Sequence, residues 1–165
     1  MRVLGIDPGL AIVGWGVIDV QGMNYIPVAY GAIRTPAHTP VQARLQSIFR
    51  DMKELFHTYK PDAMSIEELF FTKNVTTGIP VAEARGVILL SAQEAGVPVF
   101  EYKPPQVKQA VVGYGKAEKL QVISMVTTLL RLRTHPKPDD TADALALALC
   151  HAQSHSSLLN YYTKR

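Results

Sequence analysis

The chain holds a single cysteine, Cys150, in 165 residues. One thiol closes no internal disulfide and builds no cysteine-rich metal site, so a reducing compartment is expected. Long apolar runs are missing too. The longest stretch without formal charge, Ala144 to Thr163, is apolar only as far as Cys150 and then turns polar at His151, Gln153, Ser154 and His155. That pattern predicts a buried helix and a polar tail, not a membrane span. Asp7 interrupts the first apolar run, where a signal peptide needs an unbroken one. A soluble cytoplasmic protein with no membrane partner is expected. No internal repeat or low-complexity segment occurs, and no Ser-His-Asp or Cys-His arrangement stands out. Gly113-Tyr114-Gly115-Lys116 lacks the spacing of a phosphate-binding P-loop. A large charge excess is also absent. Lys plus Arg is 17 and Asp plus Glu is 14, and a net charge of +3 is too small to establish a polyanionic partner.

What is present is ordinary globular composition, 47% hydrophobic and 19% charged, at a length that suits one domain with one core. Val3 to Ile6 predicts a strand that ends in the turn residues Asp7-Pro8-Gly9. Ala11–Val20 and Tyr25–Ile33 predict two further strands, and short turns between the three suggest an antiparallel meander. The period then changes. Thr39 with Pro40 opens a helix whose Leu45, Ile48, Phe49, Met52, Leu55 and Phe56 fall at helical spacing. A strand over Ala63–Leu69, a helix from Pro80, a strand over Val99–Tyr102 and helices over Gln106–Val112 and Glu118–Leu132 follow. In the last of these, Leu120, Ile123, Val126 and Leu130 form an apolar stripe. A final helix is expected from about Asp139 to Ala152. The sum is an α/β layer fold with a mixed five-stranded sheet flanked by helices.

Three groups of acids invite chemistry. Asp7 closes an apolar strand, where a carboxylate costs free energy unless it is paired, binds a cation or caps its own turn. Glu67 and Glu68 are adjacent in a strand, so one points inward and the other outward; alternation alone leaves open which, and both suit a solvated edge. Asp139, Asp140 and Asp143 open the last helix. The helix dipole explains one or two acids there. It does not explain three in front of Ala-Leu-Ala-Leu-Ala-Leu, a segment apolar enough to be buried on most sides. Asp140 and Asp143 at i, i+3, or Asp139 and Asp143 at i, i+4, share a face, and carboxylates so close bind protons unless a cation intervenes. Such hard oxygen donors suit Mg²⁺ or Mn²⁺ and not zinc. Carboxylates around two divalent ions are the equipment of phosphodiester cleavage.

The small net charge is unevenly placed. Residues 1–100 carry 8 basic and 9 acidic side chains, whereas residues 101–138 carry 7 basic and 2 acidic. Lys103, Lys108, Lys116, Lys119, Arg131, Arg133 and Lys137 are interleaved with Tyr102 and Tyr114. Cations of this kind neutralise phosphates and aromatics stack on unpaired bases, although for any one lysine a solvated surface position is the simpler account. Phe70-Phe71-Thr72-Lys73-Asn74 places two aromatics beside a lysine, with one ring expected in the core and one free to stack on a base.

Several segments together resemble the RuvC family of bacterial Holliday junction resolvases. They are Leu4-Gly5-Ile6-Asp7-Pro8-Gly9, Ile66-Glu67-Glu68-Leu69-Phe70 with Lys73-Asn74, Glu83-Ala84-Arg85-Gly86, Pro98-Val99-Phe100-Glu101-Tyr102, Gln106-Val107-Lys108-Gln109, Val111-Val112-Gly113, Ala117-Glu118-Lys119 and Asp140-Thr141-Ala142-Asp143-Ala144-Leu145-Ala146, in order over roughly residues 3–151. The resemblance implies an RNase H-like nuclease domain over 1–155 with a short tail at 156–165. It implies a homodimer that nicks two opposed strands of four-way junction DNA with Mg²⁺, two ions per site, Mn²⁺ able to substitute, and products with 5′-phosphate and 3′-hydroxyl ends. It implies Asp7, Glu67, Asp140 and Asp143 as catalytic metal ligands, so Glu67 over Glu68, with Asp139 as an extra acid. It also implies DNA contacts by Phe70, Lys73, Lys108, Lys116 and Lys119, and partners in a junction-binding and helicase complex for branch migration. Gly86 to Ala92 is expected to form part of the dimer face or ordinary core. Two other functions fit parts of the pattern: a related nuclease on another branched DNA, and a junction-binding module with structural acids. An actin-like phosphotransferase begins with a similar Gly-Ile-Asp-Pro-Gly loop but needs two lobes, which 165 residues do not supply.

Overall fold

The computed structural model describes the backbone of residues 1–68 and 75–163, and side chains within 1–68 and 78–155. Phe70 and Lys73 lie outside the described residues. The chain forms β1 (Arg2–Asp7), β2 (Ile12–Gln21) and β3 (Asn24–Arg34), then α1 (Val41–Tyr59), β4 (Ala63–Glu67), α2 (Val75–Glu94) and β5 (Val99–Tyr102). It continues through α3 (Pro104–Val112), α4 (Lys119–Leu129) and α5 (Asp139–Thr163). The strands make one sheet in the order β3-β2-β1-β4-β5. β1, β2 and β3 are an antiparallel meander, and β4 and β5 add in parallel to β1. This is the mixed five-stranded sheet that the alternation of periods led us to expect.

Each face of the sheet carries its own core. On one face Leu4, Ile6, Val17, Met64 and Ile66 meet Ile48, Met52 and Phe56 of α1 and Ala84, Ile88 and Ala92 of α2. On the other, Val3 and Ile18 meet Val107 and Val111 of α3, Val122 and Val126 of α4, and the run Leu145–Cys150 of α5. The helix that looked buried on most sides is the central element of this second layer.

Several boundaries differ from expectation for identifiable reasons. Pro40 caps α1 instead of beginning it. α2 starts at Val75, ahead of Pro80, so the proline lies within the helix instead of opening it. α5 runs on to Thr163, beyond Ala152, because no Gly or Pro interrupts it. The α4 stripe also needs correction. Leu120 is 76% exposed, while Val122, Ile123, Val126 and Leu130 are buried. At roughly 100° per residue Leu120 lies about 120° around the helix from Val126, off the face that α5 covers.

The second layer depends on close approach. A Cβ at Gly5 would overlap the Ala144 carbonyl oxygen and sit 2.8 Å from Ala148 N, and one at Gly14 would overlap the Asp140 carbonyl oxygen. α5 therefore rests on sheet backbone with no side chain between. At its far side, His151 is buried, its Nδ1 lies 2.8 Å from the Tyr102 hydroxyl, and its ring packs on Phe100 at 4.3 Å. His151 is thus structural. Burial lowers its pKa to about 4, with the nearby charge of His155 adding to the effect, so it serves as a neutral ring. Gly5→Ala must push α5 off the sheet. We expect it to lower stability by roughly 1–3 kcal/mol, the scale of overpacking a tight core, and to shift the thermal midpoint down accordingly. A midpoint equal to wild type in a melting experiment would show that α5 is not seated as described.

Candidate active site

Asp7 is the last residue of β1 and Glu67 the last of β4. The parallel register pairs Gly5 with Ser65 and Ile6 with Ile66, which brings these two strand ends side by side. Their direction follows from alternation. Leu4, Ile6, Met64 and Ile66 fill the α1–α2 core, so Asp7 and Glu67 point to the α5 face. Glu68 follows the strand, and its N–H donates to the Tyr102 carbonyl.

α5 brings the other two acids. Its first turn lies on Gly14 through Asp140, and the Thr141 hydroxyl donates to the Gly31 carbonyl of β3 at 3.1 Å. Asp140 and Asp143, three residues apart, share the face turned to Asp7. Asp139 turns outward: its side chain is 62% exposed against 32% for Asp143.

Lys119 enters the cluster from α4. Its Nζ donates to Asp143 Oδ2 at 3.0 Å and lies 3.7 Å from Asp139 Oδ2. Lys119 precedes Val126 by seven residues, so it shares the helix face that meets α5. Glu67, Lys108, Lys119 and Asp143 line one cleft of about 200 Å³ whose wall includes Val107, Val122 and Leu147. Lys116, by contrast, is exposed and does not line this cleft. One positioning residue belongs to a segment singled out in the sequence, Glu83-Ala84-Arg85-Gly86, but is given no role there. Arg85 of α2, an arginine in an otherwise mostly uncharged helix, donates to the Glu67 carbonyl at 3.4 Å and pairs with Glu101. It ties the end of β4 to β5.

The electrostatics of the cluster are those of crowded acids. Burial, with the charges of Asp143, Glu67 and Asp140, pushes the Asp7 carboxyl up to about 8, against a smaller opposing pull from Lys119. Burial and Asp143 also raise Glu67, which Lys108 partly offsets. Burial raises Asp143 despite its hydrogen bond to Lys119. Burial works against the Lys119 ammonium, but its hydrogen bond and attraction to Asp143 outweigh this and raise its pKa. Among the described residues, no three His, Cys, Asp or Glu side chains close around a single point as a ready-made ligand set. The acids are gathered and under-compensated. Their donor chemistry, hard carboxylate oxygen throughout, fits a divalent cation of the Mg²⁺ class.

A carboxyl raised in the folded state keeps its proton after the unfolded chain has lost its own. Stability without divalent ions therefore falls as pH rises from about 4 to about 8. Asp7→Asn removes this penalty. At pH 8 in chelator we expect it to be more stable than wild type, by on the order of a few kcal/mol, with the gap closing toward pH 4. A variant that melts at or below wild type at pH 8 contradicts the crowding.

Comparison with known proteins identifies the family of the chain. The family model described as crossover junction endodeoxyribonuclease RuvC matches residues 3–151. The RuvC of Brevibacillus brevis is 61% identical over 153 residues, covering 93% of this chain and 92% of that protein. The RuvC of Heliobacterium modesticaldum is 60% identical over 93% of this chain and 95% of its own. A solved structure of Thermus thermophilus RuvC in complex with Holliday junction substrate superposes with a TM-score of 0.90 at 39% identity, covering 95% of this chain and 96% of that one. The yeast mitochondrial Holliday junction resolvase shares the fold, with a TM-score of 0.67 at 13% identity. With an RNase H-like α/β fold and relatives matching over nearly their whole lengths, the chain belongs to the RuvC family of crossover junction endodeoxyribonucleases.

Proposed function

We propose that this protein resolves four-way DNA junctions by nicking two opposed strands. The observation that carries the proposal is the gathering of Asp7, Glu67, Asp140 and Asp143 from three elements beside the cleft that Lys108 and Lys119 line. In this reading those four acids hold two Mg²⁺ ions, with Mn²⁺ able to substitute. When bound, such a pair supplies a nucleophilic water at neutral pH and stabilises the leaving oxygen of an in-line displacement. The chain's own residues do the rest. The rigid strand ends fix Asp7 and Glu67, and α5 fixes Asp140 and Asp143 one turn apart. Lys108 and Lys119 face the phosphate backbone at the mouth of the cleft, Lys116 meets it further out, and Phe70 with Lys73 contacts bases near the cut.

No covalent enzyme intermediate is expected. Cys150 is buried and its thiol is pushed up to about 11 by that burial, and Ser65 is buried beneath α5. Hydrolysis then leaves a 5′-phosphate and a 3′-hydroxyl that a ligase can rejoin. One small domain supplies one site, and paired incision needs two, so the working unit is a two-fold dimer. α2 supports this assignment. Ile79 and Leu90 are 51% and 54% exposed along one side with Gly86 between them, whereas Ile88 and Ala92 belong to the core. The segment Gly86–Ala92 thus contributes to both surfaces. A branch-migration complex of a junction-binding protein and a helicase motor, acting in the cytoplasm, is the partner this role calls for.

The test incubates wild type and Asp7→Asn with a labelled four-way junction and with linear duplex, in Mg²⁺ and in chelator. Wild type is expected to make symmetric, metal-dependent nicks in the junction and not in the duplex. Asp7→Asn is expected to bind the junction normally while cleavage falls by ~10²-fold or more, the scale for losing one electrostatic element of an active site. Binding without cleavage by wild type would favour a junction-binding module instead, and full cleavage by Asp7→Asn would remove Asp7 from the site.

A further inference from the structure

The basic stretch of the sequence is split in space. Lys108 and Lys119 lie on the β4 side of the acids, at the cleft with Glu67. Residues 130–138, which join α4 to α5, go to the opposite side. There Tyr30 of β3 forms a separate cleft with Thr134, His135, Pro136 and Lys137. Tyr30 pairs with Gly16 on the face that α5 covers, and it neighbours Gly31, whose carbonyl receives the Thr141 hydroxyl beside Asp140. β3 is two strands from β1 and Tyr30 lies in the row of Gly5, two residues from that of Asp7, so this cleft is offset from Asp7 by about 10 Å across the strands and about 7 Å along them.

The loop is held firmly but carries unused charge. Leu132 N donates to Thr127 O and Arg131 N to Thr128 O, the bond pair that ends a helix on a left-handed residue. That residue is Arg131, at φ 51°, where glycine is the unstrained choice. The Thr127 hydroxyl donates to the Ile123 carbonyl, so His135 Nδ1 at 2.9 Å must be the donor in the bond they share, which pins the middle of the loop. Arg131, Arg133 and Lys137 are all exposed and make no salt bridge among the described residues. Between Glu118 and Asp139 there is no acid to balance them. Three exposed cations on one loop with no acid to balance them, beside the sheet face that carries the acids, point to an anionic partner outside the chain.

We propose that the α4–α5 loop, through Arg131, Arg133 and Lys137 with Tyr30, is a second phosphate-binding flank that holds the DNA strand as it leaves the acid cluster on the β3 side. It rests on the reading of the site as a junction nuclease. A backbone passing over Asp7 continues in both directions, and Lys108 and Lys119 line only one of them. The β3 flank supplies the cations for the strand in the other direction. The ligand is nucleic-acid phosphate, bound without base readout.

The experiment measures binding of a synthetic four-way junction, in chelator, as a function of KCl concentration. The proteins are full-length wild type, Arg131→Gly, the triple variant Arg131→Ala/Arg133→Ala/Lys137→Ala, and Lys60→Ala as a control at the far end of α1. The triple variant is expected to flatten the slope of log K against log salt by about 2–3, near 0.9 per lost phosphate contact, with Lys60→Ala unchanged. Arg131→Gly is expected to flatten it by about 1 while raising the thermal midpoint, because glycine relieves the left-handed strain. A merely structural Arg131 would not weaken binding when replaced by the residue its backbone prefers. A wild-type slope in the triple variant, or in Arg131→Gly, overturns the proposal. If wild type itself neither binds nor cuts the junction, the nuclease reading fails first and this inference with it.

Discussion

Backbone contact between α5 and the sheet is the constraint on which the site depends. Gly5 and Gly14 leave no room for a side chain beneath the helix, so α5 lies against the strands at its Asp140–Ala144 turn. This contact fixes the height and rotation of Asp140 and Asp143 relative to Asp7. The same helix continues with buried Ala and Leu side chains into the core beneath α3 and α4, which makes its placement as rigid as the core itself. At its far side the Tyr102–His151 contact joins it to β5, and Arg85 joins β5 to the end of β4 that carries Glu67. The acids thus come from separate elements that are bound to one another independently of the acids.

That rigidity has an electrostatic consequence. Carboxylates held together by packing cannot separate to relieve their repulsion, so one of them, Asp7, holds a proton well above the usual carboxylate range. Lys119 supplies partial compensation through Asp143, and Lys108 does so through Glu67. Both lysines also lie at the cleft where phosphate would enter. The site is therefore less stable than its scaffold requires, and the imbalance has the sign that a divalent cation corrects. Such a trade of stability for function is common where chemistry is concentrated.

The sequence made the elements and the acids legible because each had a local signature: an apolar run ending in Asp7-Pro8-Gly9, and three aspartates ahead of an alanine-leucine repeat. What stayed closed were questions of direction. Glu67 and Glu68 could not be separated by alternation, since the answer depends on which face of β4 meets α5, and only the register with β1 decides that. Leu120 looked like core because its i+3 spacing to Ile123 is helical, but the covered arc of α4 is centred elsewhere, and Lys119 occupies that arc instead. The basic residues from 103 to 137 looked continuous, yet α5 divides them between two sides of the acids. Arg85 acts through the backbone carbonyl of Glu67, a contact between residues 18 apart that no spacing rule announces. Local chemistry was readable, and the pairing of distant elements was not.

The most direct test of the account is an NMR titration of the Asp7 carboxyl carbon in the metal-free protein, repeated with saturating Mg²⁺. Crowding by Asp143, Glu67 and Asp140 in a buried setting predicts a midpoint near 8 without the ion and a large downward shift with it. A midpoint near 3.8, the ordinary carboxylate value, under both conditions would mean that the acids do not form a shared cation site.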